Sequence, residues 1–202
     1  MCFFTKQSKE AVELERRFNA QFIQKEKHQP KSILNGFEHP KTPIICSYNP
    51  TEIQLGEWGL IPSWAKESSF QKNTLNAQVE TLKEKASFKE VYRQRCLVIA
   101  DGFYEWQWLD EKGRKKQKYL IKSKEAEIFS FAGLWSIWLN PLNQEKKLTY
   151  TIITTKANEL MEKIHNHKKR MPVILEKSNE IKWIKNLPLQ SNSVELMAEE
   201  VD

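Results

Sequence analysis

The chain has 202 residues, a length that one domain ordinarily fills and that encloses a substantial core. Apolar residues make up 40% and charged residues 29%, with no low-complexity tract or internal repeat, which excludes a disordered or fibrous chain. The net charge of +6 favours a polyanionic partner but suits an ordinary basic enzyme as well, and no apolar run reaches the roughly 18 to 20 residues of a membrane span, so an intracellular, soluble protein is expected.

From the N-terminus, residues 8–27 carry Ala11, Leu14, Phe18 and Phe22 at helical spacing and predict an amphipathic helix on the body of the domain. Residues 31–43, with Gly36, Pro40 and Pro43, read as loop, and 42–48 and 52–60 read as strands, the second ended by Pro62. A polar stretch at 66–89 reads as loop with short helix. The apolar segment Arg95 to Trp108 follows, with a kink or bulge expected at Asp101-Gly102. A turn at 110–113 leads to strands at 118–122, 127–138 and 148–155, then helices at 157–165 and 178–186, and a frayed tail from about Gln190. The pattern predicts a single α+β domain over 1–202, built on a mixed or antiparallel, barrel-like sheet with flanking helices.

Three cysteines, Cys2, Cys46 and Cys96, are an odd number without Cys-x-x-Cys spacing, which argues against both a disulfide framework and a zinc site. No metal and no cofactor are expected. Cys2 is the informative one. Removal of Met1 would leave an α-amine with pKa near 8 and a thiol near 8.5 on the same residue, two nucleophiles that together close a thiazolidine on an aldehyde. A cysteine at position 2 is also commonly incidental.

Glu105 sits among aromatics in Gly102-Phe-Tyr-Glu-Trp-Gln-Trp108, where alternation places it on one face with Phe103 and Gln107. Loss of hydration there raises a carboxyl toward the range useful for acid and base work, although a solvent-facing glutamate fits the pattern too. His165 and His167 close the 157–165 helix, where a histidine either shuttles protons or answers the helix dipole. Asn76 could donate to a reacting oxygen or simply shape a turn.

Taken in order, Cys2, Trp58-Gly-Leu-Ile-Pro-Ser-Trp64, Asn76-Ala-Gln-Val-Glu-Thr81, Arg95 to Trp106, Phe131-Ala-Gly-Leu-Trp135, and Ile164-His165 with Arg170-Met-Pro-Val173 resemble the SOS-response-associated peptidase family of abasic-site processing proteins. The resemblance covers nearly the whole chain. It implies an enzyme that clips its own Met1 and uses Cys2 to trap abasic sites in single-stranded DNA as a covalent crosslink, with AP-lyase activity as a side reaction. It further implies a cytoplasmic monomer, found at the nucleoid when bound to DNA. By the same resemblance Asn76 positions the sugar or the amino terminus, and Glu105 and His165 transfer protons; His165 is preferred to His167 because it follows Ile164. DNA contacts carried over are Trp64, with Trp58, Gln78, Lys89 and Arg170.

The sequence departs from the family at four places: Gln78 replaces the usual arginine, Phe3-Phe4 replace Gly-Arg, Lys89 stands for an arginine, and four residues rather than the frequent one separate His165 from Arg170. Lys72, Lys83, Lys85 and Arg93 are further candidates for holding phosphates. The rival readings are a cysteine peptidase acting on other proteins and a non-covalent binding module for damaged DNA.

Overall fold

Hydrophobic alternation along five strands closes a barrel. In the computed structural model, which describes residues 2–189 and 193–202, the strands are β1 Phe4–Gln7, β2 Gln21–Phe22, β3 Lys31–Asn35, β4 Lys41–Cys46, β5 Glu52–Trp58, β6 Asn76–Gln78, β7 Arg95–Ala100, β8 Gly102–Trp108, β9 Lys116–Ser123, β10 Phe129–Leu139, β11 Lys146–Lys156, β12 Arg170–Pro172, β13 Ile174–Leu175 and β14 Leu196–Val201. The helices are α1 Ala11–Phe18, α2 Glu159–Ile164 and α3 Lys177–Ile184. Strands β11, β10, β7, β4 and β5 pair antiparallel in that order, and the parallel pairing of Thr149 with Glu57 and Tyr150 with Trp58 returns β5 to β11. Closure of this ring removes the free edges that an open sheet would expose.

Because strand side chains alternate, Ile44, Cys46, Trp58, Cys96, Val98 and Tyr150 fall in one buried cluster, while Ile45, Leu97, Ile99 and Ile153 fall in another, which Leu14 of α1 and Trp183 of α3 cover. Packing between β10 and β7 is close enough to require glycine: a Cβ on Gly133 would lie 2.8 Å from the Cys96 sulfur.

A second sheet, in the order β14, β9, β8, β1, β3, shares the first core through Phe103 and Ile121. The kink expected at Asp101-Gly102 is the point where the chain leaves β7 in the barrel and enters β8 in this second sheet. Asp101 fixes the crossing: its carboxylate accepts from the Ser8 backbone N–H and hydroxyl, both at 2.7 Å, and pairs with Lys6.

Three sequence expectations need correction. The helix expected over 8–27 stops at Phe18, because Asn19 takes a left-handed conformation (φ 49°) and the chain turns into β2, whose parallel pairing sets Phe22 beside Ile53. The loop expected over 31–43 contains β3, which pairs antiparallel with β1, and the one over 66–89 contains β6, a short piece that pairs parallel with the longer β11. The frayed tail is instead β14, an edge strand running along β9, with Lys122 and Lys124 held by Glu199 (2.9 Å) and Glu195 (3.2 Å). Residues 190–192 of that tail lie outside the described residues. The strands expected at 42–48, 52–60, 118–122, 127–138 and 148–155 are present with shifted ends, in one α+β domain with a mixed barrel. Among the described residues no helix is long and apolar enough to cross a membrane.

Candidate active site

Four segments far apart in sequence meet at the start of β1. Pairing of Phe4 with Tyr104 draws the N-terminal residues along β8 and brings Cys2 close to Glu105. Cys2 is wholly buried, its sulfur 3.9 Å from the Phe4 carbonyl, and its thiol pKa is pushed upward first by burial and then by the Glu105 charge. Strand β6, held parallel to β11 at Ile152, carries Asn76, whose Nδ2 donates to the Cys2 carbonyl at 2.8 Å. The Asn76 Oδ1 is buried without a hydrogen-bond partner among the described residues, so one acceptor there remains open to an incoming donor.

Glu105 is 5% exposed on the Phe103 face of β8, and burial raises its pKa to about 7. A carboxyl tuned to neutrality both gives and takes a proton at modest cost. His165 caps the C-terminus of α2 and is buried; its Nδ1–H donates to the Arg170 carbonyl at 2.8 Å, which leaves Nε2 facing Glu105 Oε2 at 3.8 Å. Burial lowers the His165 pKa to about 4. Near neutral pH the ring is uncharged, so this contact is not an ion pair. His167 is elsewhere, stacked on Trp108 with ring centroids 3.8 Å apart.

The residues expected along a DNA path differ in exposure, and two of them, Gln78 and Arg170, meet at Thr154 of β11. Trp64 is exposed, its ring edge against Phe70 at 5.3 Å. Trp58 is not a surface residue: it is fully buried, its indole N–H donates to the Leu75 carbonyl at 2.9 Å, and it stacks on Tyr150, so it cannot meet a strand. Large apolar area in the barrel decided this, where sequence left core and surface equally open. Trp58→Ala is therefore expected to destabilise the fold by about 3–5 kcal/mol, seen as a lower urea midpoint, with DNA affinity of the folded fraction unchanged. Gln78 is half-buried on β6, and Lys89 is exposed. Arg170 is already engaged: its guanidinium donates to both carboxylate oxygens of Glu80 (2.8 and 2.9 Å) and to the Thr154 carbonyl (2.7 Å).

The sequence reading missed Asn166. Its amide pairs with the Trp108 backbone in both directions, accepting from the N–H at 3.0 Å and donating to the carbonyl at 2.9 Å, so it ties the histidine-bearing loop to the strand that carries Glu105. No local pattern signals this contact, because it links residues 58 positions apart. Among the described residues, no group of three or more histidines, cysteines and acids could hold a metal ion.

Comparison with known proteins follows the same lines. The family described as "SOS response associated peptidase (SRAP)" matches residues 1–201. The abasic site processing protein YoqW of Bacillus subtilis (strain 168) is 48% identical over 159 residues, which span 74% of this chain and 68% of that protein. The abasic site processing protein HMCES of Gallus gallus is 38% identical over 151 residues, 63% of this chain and 43% of the longer relative. A crystal structure of a protein from Bacteroides thetaiotaomicron superimposes with a TM-score of 0.88 at 33% identity, covering 100% of this chain and 92% of the other.

Proposed function

As the chain belongs to the SOS response associated peptidase family and has relatives named abasic site processing proteins, we propose that it removes its own Met1 and traps abasic sites in single-stranded DNA through Cys2. The observation that carries the reading is the convergence of Cys2, Asn76, Glu105 and His165 from four separate segments. In the first step, water hydrolyses the peptide bond before Cys2 and frees its α-amine. Cys2 is enclosed, so a sugar reaches it only once that enclosure opens.

An abasic deoxyribose in its open form presents an aldehyde. The amine adds to the aldehyde carbon, water leaves, and a Schiff base results. The thiol then adds to the imine carbon, its proton passes to the nitrogen, and the thiazolidine closes with the net loss of one water. Asn76 holds the Cys2 carbonyl so that amine and thiol keep their orientation. Glu105, with its pKa near neutrality, takes the thiol proton and helps expel the hydroxyl of the carbinolamine; neutral His165 is the second proton carrier. Lyase cleavage of the neighbouring phosphodiester is a side reaction of the same Schiff base.

The test is to incubate the protein with a single-stranded oligonucleotide carrying one abasic site. A band that survives denaturation is expected, with the mass of the chain without Met1 plus the oligonucleotide less one water, and none with an undamaged strand. Absence of any shift from a protein that has lost Met1 would overturn the proposal, and cleavage of added peptides by that protein would favour a peptidase.

A further inference from the structure

Beyond the site, β8 ends in an assembly that brings two basic loops together. Trp108 stacks on His167 at an interplanar angle of 9°, and Asn166 grips its backbone on both sides. Gly113 of the β8–β9 turn, in a left-handed conformation (φ 63°), lies against the same indole: a Cβ there would come within 2.6 Å of the ring. Gln107 adds a donor to the Lys163 carbonyl at 3.1 Å. One tryptophan thus organises the turn at 110–116 and the loop at 166–169, which are distant in sequence.

These two loops carry Lys112, Arg114, Lys115, Lys116, Lys168 and Lys169, all exposed, against the acids Asp110 and Glu111. Asp110 is turned inward, accepting from the Arg114 and Lys115 backbone N–H groups at 2.8 and 3.3 Å. None of the six cations forms an ion pair among the described residues, whereas Arg170, the arginine closest to them in sequence, is tied to Glu80. Like charges gathered side by side repel one another, and a polyanion relieves that repulsion. Trp108, on which both loops assemble, lies three residues along β8 from Glu105, roughly 10 Å at the rise of an extended strand.

We infer that the two loops joined at Trp108 form a track for the phosphodiester backbone of single-stranded nucleic acid leading away from the Glu105 and His165 site. This rests on the reading of the chain as an abasic-site processing protein. Recognition is by charge and is indifferent to base sequence, with Trp108 fixing the spacing between the loops.

The test separates binding from crosslinking by using a single-stranded oligonucleotide with a tetrahydrofuran abasic analogue, which has no aldehyde. Affinity is measured against salt for wild type and for a variant combining Lys112→Ala, Arg114→Ala, Lys115→Ala, Lys168→Ala and Lys169→Ala. A control variant removes as many exposed cations elsewhere: Lys25→Ala, Lys27→Ala, Lys31→Ala, Lys177→Ala and Lys185→Ala. The patch variant is expected to bind at least about tenfold more weakly at 0.1 M salt, with a slope of log affinity on log salt shallower by about 0.7 for each phosphate no longer neutralised. The control should keep the wild-type slope, and thermal melts should show both variants folded. A wild-type slope in the patch variant, or an equal weakening in the control, overturns the track. Salt-dependent binding that the patch variant loses, with no crosslink to a natural abasic site, would leave the track standing and remove the covalent reading.

Discussion

Cys2→Ala is expected to yield no DNA crosslink that survives denaturation, a complete loss, because the sulfur that closes the ring is gone. Any Schiff base formed by a remaining amine hydrolyses when the protein unfolds, and should be captured only when borohydride is present. Cys46→Ser and Cys96→Ser make the internal comparison. Both thiols lie inside the barrel with pKa values pushed up by burial, so neither reaches DNA. A hydroxyl buried in their place costs about 1–3 kcal/mol and lowers the melting temperature, while crosslinking per folded molecule is retained. A Cys2→Ala protein that crosslinks as well as wild type would transfer the chemistry to another residue.

Glu105→Gln is expected to slow crosslinking by about 10²- to 10⁴-fold, the usual contribution of a positioned acid or base. The sign of the pH effect follows from its raised pKa. The carboxylate is half ionised near pH 7, so the wild-type rate should rise from pH 5 to 8 as the base form appears. Glutamine removes that limb and leaves only the later rise from the amine, whose ordinary pKa is near 8.

Stability should move the opposite way. A carboxyl whose folded pKa lies above its unfolded value holds its proton longer in the native state, so stability present below about pH 4.5 is lost as pH rises through about 7. Glu105→Gln is free of this penalty and should be more stable at pH 8 by up to about 3 kcal/mol, with little difference at pH 4. Melting curves at the two pH values, with initial crosslinking rates across pH 5 to 9, check both halves. A variant with wild-type rate would remove Glu105 from the mechanism.

Much of the barrel was legible before any coordinates, because β4, β5, β7, β10 and β11 are long, apolar and bounded by turn residues, and burial on both sides forces such composition. The short strands were not. In β3 the side chains are mostly exposed, and in β14 Glu199 and Glu200 resemble a solvated tail, until Lys122 and Tyr119 on β9 supply their partners. Helical spacing ran on past Phe18 because Phe22 keeps the same period, although its burial comes from pairing with β5.

What the sequence determined by itself is the set of reactive groups: an aminothiol latent at Cys2, a carboxyl among aromatics at Glu105, a histidine near the end of a helix, and family blocks in order along the chain. Covalent chemistry and local alternation fix those. Tertiary structure alone decided that Trp58 is core, that Arg170 is held by Glu80, and that Asn166 and Gly113 assemble two loops on Trp108, and it set His165, the histidine already preferred for following Ile164, against Glu105. Each of these depends on contacts between segments far apart in the chain, and such contacts come into being only when burial of the two cores brings those segments together.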